Sequence, residues 1–320
     1  MENTSTQNQY KKYISSINTS DEGLLKKIRA LTRPSSKYYE DSWGYIIQST
    51  RHNGFKWFDP VTHSLIFFGR KSKTDKTVVI PAYFASTVNL IRIIQTIQKG
   101  LGVSKVILKN VNMDDVASLK SFGFREYKKN ESWSKDARFD DQTFPQQIVD
   151  IALVKEMKGK KFRHLRKELR RNSHLSIRAY RKNDEEHVLR IFALKDGTMS
   201  KTKDEKEAGM YYESHIMYPM AHVNKFVIVD RNTNEIIGFT AFSTISENHA
   251  ALFCSLFIPG RKLVAIWGIY HTLCKMLDKG IKTVNFGGCE ALGSYAFVHH
   301  RFQPVAEIRK THLIYEKNGQ

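Results

Sequence analysis

Asn285, Gly287, Gly288, Glu290, Tyr295, His299, His300 and Arg301 fall within one short stretch near the end of the chain. A glycine pair at the carboxyl end of a strand, leading towards a helix, can present backbone N–H groups to an oxyanion or a phosphate; it can equally be a simple tight turn. Glu290, His299 and His300 are the nearby groups able to accept a proton, the plainer reading of each being a surface residue. Arg301 carries a permanent cation, and Tyr295 offers a substrate contact or a packed aromatic ring. Cys289 stands beside the glycines, but no positioned His–Asp partner is readable that would make it a nucleophile.

Metal chemistry finds no pattern to rest on. The 12 histidines make no HExxH spacing, and neither His215 with His222 nor the His299–His300 pair forms a metal motif. Cys254, Cys274 and Cys289 show no CxxC spacing, which argues against a disulfide framework and a zinc knuckle and for a reducing, cytoplasmic setting. Met1 to Gln9 contain no apolar segment of a signal peptide, and no run approaches the roughly 18 apolar residues of a membrane span.

The second chemical feature is basic. Nine of the seventeen residues from Lys155 to Arg171 are Lys or Arg. Read as one helix at about 100° per residue, Phe162, Leu165 and Leu169 share a docking face, while Lys160, Arg163, Lys167 and Arg171 point roughly the other way. Arg166 lies about 65° from the centre of the apolar face, where a half-buried arginine usually needs an anionic partner. A charged helix face is commonly just a solvated one. Here the whole chain carries 51 Lys plus Arg against 32 Asp plus Glu, a formal charge of +19, which favours a polyanionic partner: RNA, anionic lipid or a phosphate-rich cofactor.

The elements that must hold these groups occur twice. At 320 residues, 41% hydrophobic and 12% aromatic, the chain can form about two packed domains. In the first half, a helix over residues 22–31 precedes a meander of Gly44 to Gln48, Lys56 to Phe58 and Ser64 to Phe68. A strand at Thr77 to Phe84 follows, then a helix at Ser86 to Lys99 burying Val88, Ile91, Ile94 and Ile97. Next come a strand at Lys105 to Lys109, a short helix capped by Asn112, and a strand beginning near Phe122-Gly123-Phe124. In the second half, Asp184 to Lys195 is helical, and Lys225 to Asp230 and Glu235 to Thr244 form a hairpin. A strand at Ala250 to Ile258, a helix at Lys262 to Lys279, a strand at Lys282 to Phe286, a helix around Tyr295 to His300 and a strand at Ile308 to Tyr315 complete it. Residues 197 to 218 read as a substrate lid or an ordinary surface excursion. Trp43, Trp57 and Trp133 read as core or sheet-face residues.

This order resembles the acyltransferase fold of the GCN5-related N-acetyltransferases (GNAT), with Phe122-Gly123-Phe124 similar to that family's closing "G-F" step. Two such units joined by a basic helix resemble the FemABX peptidoglycan-bridge aminoacyltransferases and the catalytic region of the phosphatidylglycerol lysyl- and alanyltransferases, the multiple peptide resistance factors. Gly159-Lys-Lys-Phe-Arg-His-Leu-Arg166 is similar to the lipid enzymes' "G-K-K…K-R-N" stretch, and Arg301-Phe-Gln-Pro304 to the end of their "F-K-x-K-F-x-P" tail. The resemblance implies a mixed α+β (α/β) fold of two tandem GNAT-like units, each a twisted mixed sheet flanked by helices. The expected order is a polar tail (1–20), an N-terminal unit (21–150), a basic bridging helix (151–175) and a C-terminal unit (176–320) carrying the site.

The activity implied is transfer of an aminoacyl group from aminoacyl-tRNA to an amine or hydroxyl of a lipid, peptide or small molecule, with no further cofactor. The setting is cytoplasmic, with an anionic lipid or membrane surface as a candidate partner; oligomeric state is not implied. By the same resemblance Arg166 takes the linker arginine's place, and Asn285, Gly287, Gly288 and Tyr295 join it around the substrate. Lys160, Arg163, Lys167 and Arg171 face the nucleic acid. The departures are His299, where the family has a lysine, and Arg301 at the second lysine position; a neutral imidazole at 299 weakens phosphate anchoring there. The rivals are an acyltransferase using acetyl-CoA or another acyl-CoA and a non-catalytic binder of RNA or anionic membrane. Neither Gly260-Arg-Lys-Leu-Val-Ala265 nor Ala85-Ser-Thr-Val-Asn89 has the glycine pair of a coenzyme A turn, although Arg261 and Lys262 could hold phosphates as point charges.

Overall fold

The computed structural model describes residues 14–16, 22–32, 36–50, 54–70, 74–126, 144–198, 223–260, 263–288 and 292–316. The chain divides into two compact units. The first takes residues 1–33, 45–140 and 309–320; the second takes 34–44 and 141–308. This differs from the sequential division expected above, and the difference lies in two strands and in residues 34–44.

In the first unit, β1 (Ile14–Ser16), α1 (Glu22–Leu31) and α2 (Trp43–Thr50, whose first two residues belong to the second unit) precede β2 (Gly54–Asp59), β3 (Ser64–Gly69) and β4 (Thr77–Phe84). Then come α3 (Thr87–Leu101), β5 (Lys105–Asn112), α4 (Met113–Ser121) and β6 (Arg125–Glu126). Thr77–Ile80 pair with Lys105–Leu108 in parallel, and the ladder stops where Pro81 has no N–H to offer. Beyond Leu108, β5 needs another partner, and the last strand of the chain, Lys310–Glu316, lies against it and β6. Leu313 of that strand is fully buried in the same core as Leu90, Ile94, Ile97, Val106 and Leu108. The strand expected to end the second half therefore completes the first sheet.

Two readings of this unit need correction. Residues 44–48 belong to a helix, not a strand: Trp43, Tyr45 and Ile46 are all buried, so the segment has the continuous apolar pattern of an interior strand. Gly44 fits because a Cβ there would stand 2.5 Å from the Phe253 ring. Val88 is 68% exposed at the start of α3, and Leu90 and Ile93 fill the core positions instead. Ser86 caps that helix by accepting the Asn89 N–H, and Gly102 ends it at φ 62°. Asn112 sits at the start of α4 but its side chain accepts from Lys310 and makes no cap. Trp43 and Trp57 are buried as expected; Trp133 lies outside the described residues.

The second unit starts its sheet with β7 (Gln146–Asp150), expected to close the first half, and continues with α5 (Ile151–Glu156), α6 (Arg163–Arg171), β8 (Leu175–Ala179) and α7 (Glu185–Thr198). The hairpin β9 (Val223–Asp230) and β10 (Glu235–Ser246), β11 (His249–Phe257), α8 (Val264–Leu277), β12 (Thr283–Asn285), α9 (Leu292–Phe302) and β13 (Ala306–Ile308) follow, before the exchanged β14 (Lys310–Glu316). The sheet order is β13-β7-β12-β11-β10-β9-β8. Among the described residues its one parallel pair, His249–Ala251 with Thr283–Asn285, is joined through α8, which buries Ile266, Trp267, Tyr270 and Leu273. Beyond Thr198, the 197–218 segment lies outside the described residues, as do Cys289 and Glu290.

On the face beneath α7, Lys225, Ala241 and Cys254 form one row across β9, β10 and β11. The Lys225 ammonium lies 5.5 Å from the Tyr180 ring centroid. Burial lowers the Lys225 pKa to about 8, and burial together with Glu185 and Asp184 raises that of Tyr180 to about 12. In the unfolded chain Lys225 returns to about 10.5, so wild-type stability rises between pH 8 and 10.5, where the unfolded state holds more protons. Lys225→Met is expected to stabilise the protein by about 1–2 kcal/mol at pH 7, a figure discounted for partial exposure. The gain should fade by pH 10.5; thermal melts across this range check it.

Candidate active site

The basic run is two helices, not one. Asp150 caps α5 by accepting the Leu153 N–H at 3.1 Å, and the helix ends at Met157, φ 48°. Gly159 at φ 84° then turns the chain into a 3-10 turn at Lys160–Phe162, from which α6 runs to Arg171. Phe162 and Leu165 are buried and Leu169 packs partly against the same core, so the docking face is the expected one. Lys160, Arg163, Lys167 and Arg171 are exposed.

Arg166 is half-buried, as the helical wheel implies, but its partners are backbone carbonyls. Its Nη1 donates to Met157 O and, at 3.1 Å, to Gly159 O. Carbonyls at a helix end lack intrahelical donors, and a guanidinium there satisfies them directly. No anionic side chain is needed. Arg166 also lines an open depression of ≈ 390 Å³ with Arg163, Lys167, Arg170 and Arg171.

A second, larger groove of ≈ 720 Å³ opens between α6 and α9. Lys160, Lys161 and His164 form one wall; Ala296, Phe297, His300, Arg301 and Gln303 form the other. Arg301 Nη2 lies 3.4 Å from Oε1 of Glu168, which is 8% exposed. Thus His300 and Arg301 share this groove. His299 is exposed elsewhere, stacked on Tyr295 at 5.7 Å, and Tyr295 stacks on Phe144 at 5.1 Å and donates to Glu307 Oε1 at 2.5 Å. Tyr295 is held by its neighbours as a packed aromatic.

Asn285 ends β12 at 2% exposure and is fully engaged. Its Nδ2 donates to Lys37 O at 2.7 Å and Gln146 Oε1 at 2.8 Å, and its Oδ1 accepts the Gly287 N–H at 2.7 Å. Gln146 Nε2 in turn donates to Glu40 Oε1. The Gly287 N–H is therefore committed to the protein, which leaves that of Gly288 as the candidate oxyanion donor. Gly287 is needed for a different reason: its φ of 74° lets the loop fold back over Asn285.

No family model and no curated protein matches the chain. Solved structures do. A conserved protein of unknown function from Bacteroides thetaiotaomicron superposes with a TM-score of 0.71 at 13% identity, covering 95% of this chain and 99% of that one. FemX gives 0.61 at 11% identity, covering 95% and 97%. The chain has the tandem GNAT-like fold of FemX. The C-terminal domain of a putative lysylphosphatidylglycerol synthetase from Agrobacterium fabrum shares it, with a TM-score of 0.59 at 12% identity and coverage of 92% and 93%. In this chain each unit carries a parallel strand pair bridged by a helix, and the Gly287–Gly288 loop leaves the carboxyl end of such a strand, where α/β proteins commonly bind ligands.

Sequence reasoning misses Glu168, Arg170 and the Glu40–Gln146–Asn285 chain. Glu168 has a signal: it is the only acidic residue from Met157 to Arg171, and it stands three residues from Leu165 on the docking side. Among the described residues, no group of three or more His, Cys, Asp or Glu is placed to hold a metal ion, and no helix is long and apolar enough to cross a membrane.

Proposed function

We propose that this protein transfers an aminoacyl group from aminoacyl-tRNA to an amine or hydroxyl of a lipid or small-molecule acceptor. The observation that carries the reading is the cationic face of the 3-10 turn and α6, Lys160, Arg163, Lys167 and Arg171, beside the groove that contains His300 and Arg301. Exposed cations along one helix face suit an RNA backbone, and the adjoining groove suits the esterified end. The likeness to FemX and to a putative lysylphosphatidylglycerol synthetase supports this choice among acyltransferase reactions.

An aminoacyl ester is already activated, so no cofactor is required. The acceptor's lone pair attacks the ester carbonyl, a tetrahedral oxyanion forms, and the terminal ribose hydroxyl leaves as the new amide or ester is made. The Gly288 N–H and Arg301 are the groups assigned to the oxyanion. His300 is assigned the acceptor's proton; Glu290 and His299, whose ring meets that of His300 edge-on at 5.4 Å, are the alternatives to it. Asn285 acts by holding the glycine loop, and Arg166 by fixing the α5–α6 junction.

The test is incubation with charged tRNAs and a total lipid or metabolite extract. A labelled acceptor that appears only with charged tRNA supports the reading. Consumption of acetyl-CoA with no labelled acceptor would transfer the assignment to an acyl-CoA enzyme, and salt-dependent tRNA binding without either reaction to a binding protein.

A further inference from the structure

Helix α9 carries a column of rings that the transfer chemistry does not use. Phe144 stacks on Tyr295 at 5.1 Å and Tyr295 on His299 at 5.7 Å, with interplanar angles of 25° and 27°. Tyr295 and His299 are four residues apart, which sets them on one helix face. The Tyr295 hydroxyl is tied to Glu307 Oε1, so the ring beneath His299 is held in place. The His299 ring then meets that of His300 edge-on at 5.4 Å, and His300 lines the groove between α6 and α9. Gln303 Nε2 donates to the carbonyls of both histidines, at 3.3 and 3.1 Å, and orders the last turn of α9 that carries them. Both imidazoles are exposed, and that of His299 makes no hydrogen bond or ion pair among the described residues. A preformed stack that ends in exposed rings is a surface for another flat group.

We propose that the His299 end of this column stacks an unpaired base of the tRNA next to its esterified end, and that the strand enters the groove past His300. The inference rests on the aminoacyl-transfer reading and specifies how the single-stranded end of that donor is held. Flat groups that stack on such rings are aromatic side chains, guanidinium groups and nucleobases. A nucleobase alone brings phosphates with it, and the adjoining groove is lined by Lys160, Lys161 and Arg301 with no acidic side chain among the described residues. A guanidinium would be repelled by the same cations. Stacking on a ring is worth about tenfold in affinity per base and accepts any base, because every base has a flat face. Here it would fix the geometry of the strand without restricting which tRNA is used. His299 is in this role a positioning residue, acting on the nucleotide beside the ester. The adenine nucleotide of coenzyme A shares the chemistry of ring and phosphate, so it forms a second arm of the test.

Binding of uncharged tRNA, intact or trimmed of its unpaired 3′ nucleotides, tests this without requiring turnover when measured at pH 8.5, where imidazoles are neutral. His299→Ala is expected to bind intact tRNA about tenfold more weakly than wild-type protein, and trimming is expected to cost wild-type protein about tenfold more than it costs this variant. His299→Phe should keep the wild-type affinity and His299→Lys should bind like His299→Ala. The slope of log affinity against log salt should not change in His299→Ala, since a neutral ring releases no counterion. Wild-type protein that binds no tRNA, or a cost of trimming that is equal in the two proteins, overturns the proposal and leaves the column as packing around α9. Full affinity in His299→Lys also overturns it, in favour of a phosphate contact. Acetyl-CoA binding that falls in His299→Ala while tRNA binding does not overturns it in favour of the coenzyme. The transfer reading fails separately: trimming still distinguishes the two proteins, but no labelled acceptor forms from charged tRNA.

Discussion

Asn285→Ala is expected to lower the unfolding free energy by about 3 kcal/mol and to reduce transfer at least tenfold under conditions where the variant remains folded. The stability figure comes from what the truncation leaves behind. The Lys37 carbonyl, the Gln146 Oε1 and the Gly287 N–H all lose their partner at a position only 2% exposed. A buried polar group without a partner costs about 1–3 kcal/mol, and partial access of water to the loop keeps the sum towards the low end. Asn285→Asp separates the contributions. It keeps an acceptor for Gly287 but turns a carboxylate oxygen towards two other oxygens. Gln146 cannot relieve this by rotating its amide without losing the bond to Glu40. The aspartate should therefore restore little stability. Urea unfolding of both variants checks the prediction, and a loss below about 1 kcal/mol for Asn285→Ala would show that the loop is held by other contacts.

The same residue shows where a sequence is readable and where it is not. Asn285 and Gly287 stand out by type, because an asparagine before a glycine pair at the end of an apolar strand marks a special turn. Their actual job depends on Lys37 and Gln146, which are distant in sequence, and no local pattern announces those partners. Register and partner choice in sheets are long-range properties too. Lys310–Glu316 alternates well enough to be read as a strand, yet its place beside β5 is decided by Leu313 filling the first core. The meander reading of residues 44–48 fails because a short helix buried on several sides has no polar stripe to reveal its period. The docking residues Phe162 and Leu165 are legible because α6 has such a stripe. The break before it is harder to foresee, although Gly159 supplies a punctuation mark within the run. The helical wheel places Arg166 at the right depth but implies the wrong kind of partner, since burial alone does not say whether an arginine meets a carboxylate or a helix end.

The quadruple variant Lys160→Ala, Arg163→Ala, Lys167→Ala and Arg171→Ala is expected to weaken uncharged tRNA binding by about 10²-fold at 50 mM salt. It should also reduce the slope of log affinity against log salt by about 3, since each cation that releases a counterion from single-stranded or duplex RNA contributes about 0.7–0.9. All four side chains are exposed, whereas Phe162 and Leu165 hold the helix from its other face, so the melting temperature should scarcely move. Net charge is the confounding variable in a chain at +19. None of the exposed Lys26, Lys99, Lys279 and Lys282 lines the groove, and alanine at these four positions removes the same amount of charge and serves as the control. A diffuse electrostatic attraction would weaken binding equally in both variants, because it depends on total charge and falls off over a Debye length of about 8–10 Å. Contact at α6 requires a larger loss of slope in the first variant, since counterions are released only where phosphates are met. Arg166→Ala acts differently: it removes one charge together with the donor to Met157 O and Gly159 O, so its principal effect should be on stability.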